Sequence, residues 1–279
     1  MMALRASNDT VASNDTAVQA FFLAWAAETS DAGSTRLSGV PIVFVAGAAG
    51  VIGRPLVTLL VQGGHRVFGT TRSKTRAASL ERSGVSPIVL DVFDRQAVAD
   101  AIKGACPDVV IHQLTDLSGG FEPDRIAESR AKTSRLRMEG TQNLVAAARA
   151  TGVRRLIAQS IAWIYAPGPL PHREGDPLDR AEDTPQAVTA RGVIALEEAV
   201  LGAAPVEGVV LRYGRFYGGG ADAAPAGMPS VHVDAAAHAA VLAIERGAPG
   251  VYNVAEPSPA LAIDKARREL GWDPSFRAG

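Results

Sequence analysis

The sequence predicts an α/β protein in which a parallel sheet is covered by helices on both faces. From Val40 onward, short apolar runs alternate with segments whose apolar residues recur at helical spacing. Strands that are apolar on both faces are typical of parallel sheets, because crossover helices bury each face. A glycine-rich turn follows the first apolar run, as in doubly wound folds. The expected fold class is therefore a doubly wound parallel sheet of the Rossmann type.

The predicted elements follow one another regularly along the chain. Strands are expected at 41–47, 65–72, 86–92, 107–114, 153–160 and 206–214, and helices at 51–64, 73–84, 94–105, about 124–150, and 185–202. Gly63, Gly64 and Gly84 stand where helices should end, since glycine accepts the left-handed backbone of a helix C-terminus. Regular alternation of this kind predicts a single parallel sheet.

Residues 1–38 differ in composition from the rest of the chain. They hold a repeated ASNDT, at 6–10 and 12–16, followed by an apolar helix candidate and a polar stretch. This composition favours a partly disordered extension before a domain at 39–279. The alternative is a helix whose Phe21, Phe22 and Trp25 dock on the body of the protein or on a second subunit.

Composition excludes several classes of function. A net charge of −1 gives no electrostatic basis for binding nucleic acid or an anionic membrane surface. The single cysteine, Cys106, cannot form an internal disulfide, and no Cys/His cluster has zinc spacing, so we expect no metal and a cytoplasmic setting. The apolar stretch at 17–27 is too short to span a bilayer, and no basic segment precedes it.

The glycine-rich turn predicts a dinucleotide site. Gly47, Gly50 and Gly53 are spaced G-x-x-G-x-x-G, with Val51 and Ile52 between the last two. In a doubly wound fold this turn faces the ligand crevice, and the helix after it offers free N–H groups to a pyrophosphate. The alternative is a glycine turn that only packs tightly.

The end of the second strand favours NADP(H) over NAD(H). An NAD site usually has an acidic residue there, to bind the ribose 2′-hydroxyl. This chain has Thr71, Arg72 and Ser73 instead. Arg72 can stack on adenine and pair with a 2′-phosphate, helped by the Ser73 hydroxyl. The alternative is a solvated surface arginine.

Two further pairs of residues are expected to contact the dinucleotide. Asp91 and Val92 lie just past the third strand, where they would meet the adenine edge. Leu114 and Thr115 follow the fourth strand.

A series of motifs extends over most of the chain. In order they are GAAGVIG, LDV, VVIHQL, EGTQNLVAAA, RRLIAQSIAWIYA, VLRYGRFYG, VHVDAAAHA, GVYNVAE and KARRELGWDP. Together they resemble the extended short-chain dehydrogenase/reductases, in the NAD-dependent epimerase/dehydratase branch, from about Val40 to the C-terminus. The resemblance implies a small substrate lobe, at about 165–185 and 214–279, and a homodimer formed through the long helix and the helix at 185–201. That lobe is short, since 17 residues separate Gly214 from His232.

The chain departs from this family at its catalytic dyad. The resemblance implies a Tyr-x-x-x-Lys motif, in which tyrosine exchanges a proton with a substrate oxygen and lysine lowers the tyrosine pKa. Counting back from Glu197 places Thr189 at the tyrosine position and Val193 at the lysine position. A register shifted by one residue gives Ala190 and Ile194. The dyad is absent in either register, so the active site is atypical.

Other residues at the end of the fifth strand could still do chemistry. The family's hydroxyl residue aligns with Ile161, but Ser160 lies beside it. Tyr165 could act as acid/base with Ser160 orienting a substrate oxygen, provided that a cation such as Arg191 or Arg137 assists it. The alternative is that Tyr165 packs a loop and Ser160 caps a backbone group. Arg137 stands where the family tends to place asparagine.

Two polar residues at strand ends each have two alternative roles. His112 ends the fourth strand, where a structural role is favoured over a catalytic one. Arg212 lies near the end of the sixth strand and could face an anionic substrate or hold two lobes together.

Three functions remain open on sequence alone. The first is an NADP-dependent oxidoreductase or epimerase that acts on a small carbonyl or sugar-like substrate with a non-standard acid/base set. The second is a catalytically silent NADP-binding sensor or regulator. The third is a non-redox isomerase or cyclase on the same fold.

Overall fold

The computed structural model describes residues 39–116, 123–184, 186–221 and 227–278. The N-terminal extension at 1–38, with its helix candidate, lies outside these residues, so both interpretations of it remain predictions.

Seven parallel strands form the main sheet, which confirms the predicted fold class. Their order is β3-β2-β1-β4-β5-β6-β9. The strands are Ile42–Ala46 (β1), Arg66–Thr71 (β2), Ser86–Val89 (β3), Val109–His112 (β4), Arg155–Ile161 (β5), Glu207–Tyr213 (β6) and Gly250–Val254 (β9). The first six were predicted; β9 is an addition. A separate pair, Arg215–Tyr217 (β7) and Ser230–His232 (β8), forms a small second sheet.

The helices lie between the strands, as the alternation predicts. They are Gly53–Gln62 (α1), Lys74–Arg82 (α2), Arg95–Ala105 (α3), Pro123–Arg135 (α4), Thr141–Thr151 (α5), Ala187–Leu201 (α6) and Val233–Leu242 (α7). The predicted long helix is present as α4 and α5, joined by a π-helical turn at Leu136–Gly140. Within the part of the chain that the structure describes, every helix is too short or too polar to cross a membrane.

Two hydrophobic cores cover the two faces of the sheet. Side chains alternate along each strand, so Val45 joins the core beneath α1 and α7, while its neighbour Phe44 joins the core beneath α3, α5 and α6. Leu56 of α1 and Ile102 of α3 are fully buried in these cores. Burial of each such side chain stabilises the fold by about 1.5–3 kcal/mol.

The strand order places a ligand crevice between β1 and β4. The chain runs outward from β1 to β3 on one side, then returns to β4 on the other. Adjacent loops diverge at such a switch point and leave a crevice outside the carboxyl ends of the strands.

The C-terminal segment contributes to both sheets. β7 and β8 form the small sheet, whereas β9 and α7 belong to the layers of the main sheet. Residues 41–279 cluster as one compact unit. The division into a dinucleotide-binding lobe and a substrate lobe at 165–185 and 214–279 stays a prediction.

Candidate active site

The turn between β1 and α1 is built to let another group approach its backbone. Gly47 has a φ of 92°, and a Cβ there would lie 3.0 Å from the backbone of Gln113. A Cβ on Gly53 would lie 2.1 Å from the Gly47 carbonyl oxygen. The Gly50 N–H donates to that same oxygen at 3.0 Å. Glycine is therefore required at 47 and 53.

The first turn of α1 is suited to an anion. Ile52 occupies the N-cap position of α1, and no described side chain caps the N-terminus of this helix. The first turn also lacks an acidic residue. Val51, beside it, is exposed. Uncapped N–H groups and the positive end of the helix dipole fit a pyrophosphate, so this turn suits a dinucleotide.

The carboxyl end of β2 is cationic. Arg72 is 62% exposed and forms an ion pair with Asp116 at 3.3 Å. The Ser73 hydroxyl accepts a hydrogen bond from the Arg76 N–H and caps α2, while the Thr71 hydroxyl accepts from the Ser73 N–H. An exposed guanidinium beside a helix N-terminus is suited to a 2′-phosphate.

The other predicted contact residues lie along the same edge. Asp91 is exposed and Val92 buried just beyond β3, and Leu114 and Thr115 are half-buried beyond β4. Because β3, β2, β1 and β4 are parallel neighbours, their carboxyl ends align. The structure thus brings all of the predicted cofactor residues to one edge of the sheet; their contact with a dinucleotide remains a prediction.

His112 is held neutral at the end of β4. Its Nδ1 accepts from the Leu114 N–H at 3.2 Å, which leaves the proton on Nε2 to be donated to the Thr141 hydroxyl at 3.0 Å. Burial, and then the charge of Arg137, lower the pKa of His112 to about 4. A neutral imidazole with both nitrogens bonded positions the backbone beyond β4.

An apolar cluster occupies the place where the family carries its hydroxyl residue and its lysine. Ile161, Ile164, Ala190 and Val193 pack together there, with Leu178 against them. Ile161 and Val193 are the two residues aligned with the serine and the lysine. These two positions therefore lie in a hydrocarbon cluster, and Thr189, at the tyrosine position in the same register, is half-buried next to Ala190 of the cluster.

Ser160 belongs to a buried polar network. Its hydroxyl donates to Glu197 Oε1 at 2.6 Å. Arg212 donates to both oxygens of the same carboxylate, from Nε at 3.0 Å and from Nη2 at 2.6 Å. The Arg212 and Glu197 side chains are only 4% and 5% exposed, so this is a bidentate ion pair in the protein interior.

Tyr165 is bonded into the same network. Its hydroxyl donates to Asn253 Oδ1 at 2.6 Å and accepts from Arg212 Nη1 at 2.8 Å, and its ring stacks on His172. Burial raises the pKa of Tyr165, although Arg212 opposes the shift. In the family's dyad a cation lowers the tyrosine pKa instead. The action of Ser160 and Tyr165 on a substrate therefore remains a prediction, and their bonds here are structural.

Arg212 is the arginine that bonds to the Tyr165 hydroxyl. The predicted candidates were Arg191, which is exposed, and Arg137, which is buried elsewhere in the site. Arg212 Nη1 additionally donates to the Glu174 carbonyl oxygen at 3.1 Å. It thereby joins β6, α6 and the segment after β5, and its two predicted roles, at an anionic substrate or between two lobes, remain predictions.

The sequence did not reveal Glu197 and Asn253 as members of this network. In the sequence, Glu197 was used only to locate the motif positions. An acidic residue on the buried face of a helix needs a cationic partner, and the structure shows that this partner is Arg212. Asn253 on β9 carried no local signal, because β9 itself was not predicted. Among the described residues, no group of His, Cys, Asp or Glu could hold a metal ion.

Comparison with known proteins agrees with this architecture. Residues 43–230 match the family model described as the NAD dependent epimerase/dehydratase family. A 3-diazoavenalumate denitrifying reductase from a Streptomyces species is 43% identical over 257 residues, which cover 83% of this chain and 82% of that protein.

Two solved structures resemble the fold at low sequence identity. UDP-glucose 4-epimerase from Thermotoga maritima, solved with UDP-glucose, superposes with a TM-score of 0.69 at 18% identity, over 84% of this chain and 94% of that one. UDP-glucose 4-epimerase from Thermus thermophilus, in complex with NAD, superposes with a TM-score of 0.66 at 22% identity, over 85% and 94%.

Proposed function

This chain belongs to the NAD-dependent epimerase/dehydratase family, and we propose that it is an NADPH-dependent reductase whose substrate needs a hydride but no proton from the enzyme. Family membership supports a nicotinamide dinucleotide as the cofactor. The observation that carries the proposal is the apolar cluster of Ile161, Ile164, Ala190 and Val193, which contains the positions aligned with the family's hydroxyl residue and its lysine.

The apolar cluster argues against chemistry at a carbonyl or alcohol oxygen. Reduction of a carbonyl, or epimerisation through one, moves a proton at the substrate oxygen and needs a group within hydrogen-bond reach. Ser160 and Tyr165, which stand next to Ile161 and Ile164 of the cluster in the sequence, already bond to Glu197, Asn253 and Arg212. Reduction that transfers a hydride alone suits this site better.

The relative at 43% identity is named for a reduction of this kind. It is a reductase of a diazo compound and is called denitrifying. Replacing a diazonium group by hydrogen forms one C–H bond from a hydride, while the C–N bond electrons leave with N₂. The reaction consumes no proton. We propose a diazonium compound as the substrate class of this chain.

The residues of the chain supply binding and exclusion of water. When bound, NADPH supplies the hydride and is oxidised. Gly47, Gly50 and Gly53 would hold its pyrophosphate against the start of α1, and Arg72 its 2′-phosphate. The hydrocarbon surface of Ile161 and Val193 would keep water from a reactive diazonium carbon.

The preference for NADPH is part of the proposal. It rests on the exposed Arg72 and on Lys74 and Arg76 in the first turn of α2, where no acid is present in the sequence to bind a ribose 2′-hydroxyl.

We also propose that the protein is a homodimer and that it is located in the cytoplasm. A homodimer through α4, α5 and α6 would cover Met138 and Leu201, two exposed apolar side chains on this part of the chain. The exposed thiol of Cys106 is consistent with a reducing cytoplasm.

The test compares a substrate that needs a proton with one that needs none. Purified protein with NADPH is given a benzenediazonium salt or benzaldehyde, and products are measured by chromatography. We expect benzene from the diazonium salt and no benzyl alcohol. Gly53→Val, which blocks the glycine turn, controls for reduction in free solution and should show only that background.

A second variant separates the proposal from the predicted role of Tyr165. Tyr165→Phe should keep diazonium reduction within about threefold of the parent protein. Reduction of benzaldehyde by the parent, lost in Tyr165→Phe, would instead establish a carbonyl reductase with an altered acid/base set. NADPH binding without either product would favour a sensor.

A further inference from the structure

Arg137 is a buried cation without a counter-charge bonded to it. Its side chain is 6% exposed, and among the described residues it has neither a hydrogen-bond partner nor an ion-pair partner. Burial lowers the pKa of Arg137 to about 10, so the guanidinium is still charged at neutral pH. An unpaired buried charge is costly to the fold, and such charges are normally paired.

The guanidinium lies at the edge of the sheet where the site is. Arg137 is on the π-helical turn at Leu136–Gly140, and such turns interrupt helices frequently at functional sites. Thr141, the residue after this turn, bonds to His112 at the end of β4, and Ser134, before the turn, donates to the Val188 carbonyl oxygen of α6. These contacts place the turn by the carboxyl end of β4 and against α6, where the charge of Arg137 also lowers the pKa of His112.

The charges around Arg137 do not balance. Glu197 already forms a bidentate ion pair with Arg212 and accepts from Ser160. His112 is neutral and donates to Thr141. Among the described residues, the two arginines and one carboxylate leave one positive charge in this part of the interior, so a ligand group with one negative charge would balance it.

The cofactor is a poor source of that negative charge. The negative groups of NADPH are phosphates, and their proposed positions are the glycine turn after β1 and Arg72 after β2. The nicotinamide ring and its ribose, which would lie towards β4 and β5, carry no negative charge. An anion that reaches Arg137 must therefore come from the substrate.

We propose that Arg137 binds a carboxylate of the substrate and selects substrates that carry one. A planar guanidinium pairs with a carboxylate through two parallel hydrogen bonds. The neighbouring cluster of Ile161, Ile164 and Val193 would contact an apolar body. The substrate class is then a small carboxylic acid with an apolar skeleton that bears a diazonium group. This inference deepens the proposed function and rests on it.

Binding is tested separately from turnover. The protein saturated with NADPH is titrated with benzoate and with benzamide, and the melting temperature is recorded. Benzoate should raise it and benzamide should not. In Arg137→Met, the response to benzoate should be lost while the affinity for NADPH, measured by fluorescence, is unchanged.

Matched variants distinguish a lost binding site from a destabilised fold or from the loss of any arginine. Arg137→Met replaces an unpaired buried charge with an apolar chain, so the ligand-free variant should melt at or above the parent temperature. Arg191→Met removes an exposed arginine on α6 and should leave benzoate binding intact. Arg137→Lys should keep a weakened response, because a lysine retains the charge without the bidentate geometry.

Turnover gives the second measurement. The parent protein should reduce 4-carboxybenzenediazonium with a kcat/KM at least tenfold above that of the 4-carboxamide analogue, and Arg137→Met should abolish this preference. Benzoate binding unchanged in Arg137→Met, or a loss of NADPH affinity instead, overturns the assignment. Benzoate binding through Arg137 without diazonium reduction would refute the proposed function alone.

Discussion

The buried ion pair between Arg212 and Glu197 should be the most costly polar contact to break in this fold. In Arg212→Met the Glu197 carboxylate loses both of its guanidinium bonds and keeps only the Ser160 hydroxyl, and Tyr165 loses a donor. Leaving one partner of a buried pair uncompensated costs about 3–5 kcal/mol. For a domain of this size, that loss lowers the melting temperature by roughly 6–20 °C.

The assay is urea unfolding of a double-mutant cycle. Arg212→Met, Glu197→Gln and the double variant are compared by their free energies of unfolding. The double variant should recover most of the loss, because its glutamine is neutral and can still bond to Ser160. The coupling energy should be at least about 2 kcal/mol.

An exposed ion pair that also uses a glutamate of α6 is the matched control. Arg180 and Glu198 lie 3.3 Å apart, with side chains 70% and 67% exposed. Arg180→Met should cost less than about 1 kcal/mol, since solvent screens the pair. If Arg212→Met costs no more than Arg180→Met, the structural interpretation of this network is refuted.

Two further predictions concern acid stability and the cofactor. Because the pKa of His112 is lowered to about 4 from 6.5, the unfolded chain binds its proton more readily. This contribution to stability is full above about pH 6.5 and is lost as the pH falls towards about 4, by about 3 kcal/mol in all. Unfolding of His112→Gln between these values should show a flatter pH dependence than the parent, and equal slopes would contradict a neutral His112. Arg72→Ala should weaken NADPH binding about tenfold and leave NADH unchanged, since only NADPH has a 2′-phosphate. Arg82→Ala, at the other end of α2, should change neither dissociation constant.

The sequence was a good guide to whatever depends on local pattern. Buried parallel strands appear in the sequence as apolar runs, helices as apolar residues with a 3.6-residue period, and turns as glycines. Six strands and the helices between them were therefore predicted at nearly their observed bounds. The cofactor residues were placed at one edge for the same reason, since each follows a strand. Counting from Glu197 located Val193, which the structure finds in an apolar cluster.

Features that depend on contacts between distant parts of the chain could not be predicted from the sequence. The π-helical turn that presents Arg137 interrupts an ordinary helical pattern, and five residues carry no period of their own. Tyr165 appeared available for chemistry because Arg212 and Asn253, its partners, lie 47 and 88 residues away in the sequence. No local signal shows that a side chain is already bonded across that distance.

The origin of the hydrogen atom in the product tests whether NADPH transfers a hydride directly to the carbon that loses N₂. A benzenediazonium salt is reduced once with NADPH deuterated at nicotinamide C4, using both stereoisomers, in ordinary water, and once with unlabelled NADPH in D₂O. We expect one deuterium at the carbon that lost N₂ with one stereoisomer of labelled NADPH, and none from D₂O. Deuterium taken from the solvent, or no enzyme-dependent product at all, would contradict a hydride transfer that needs no proton from the enzyme.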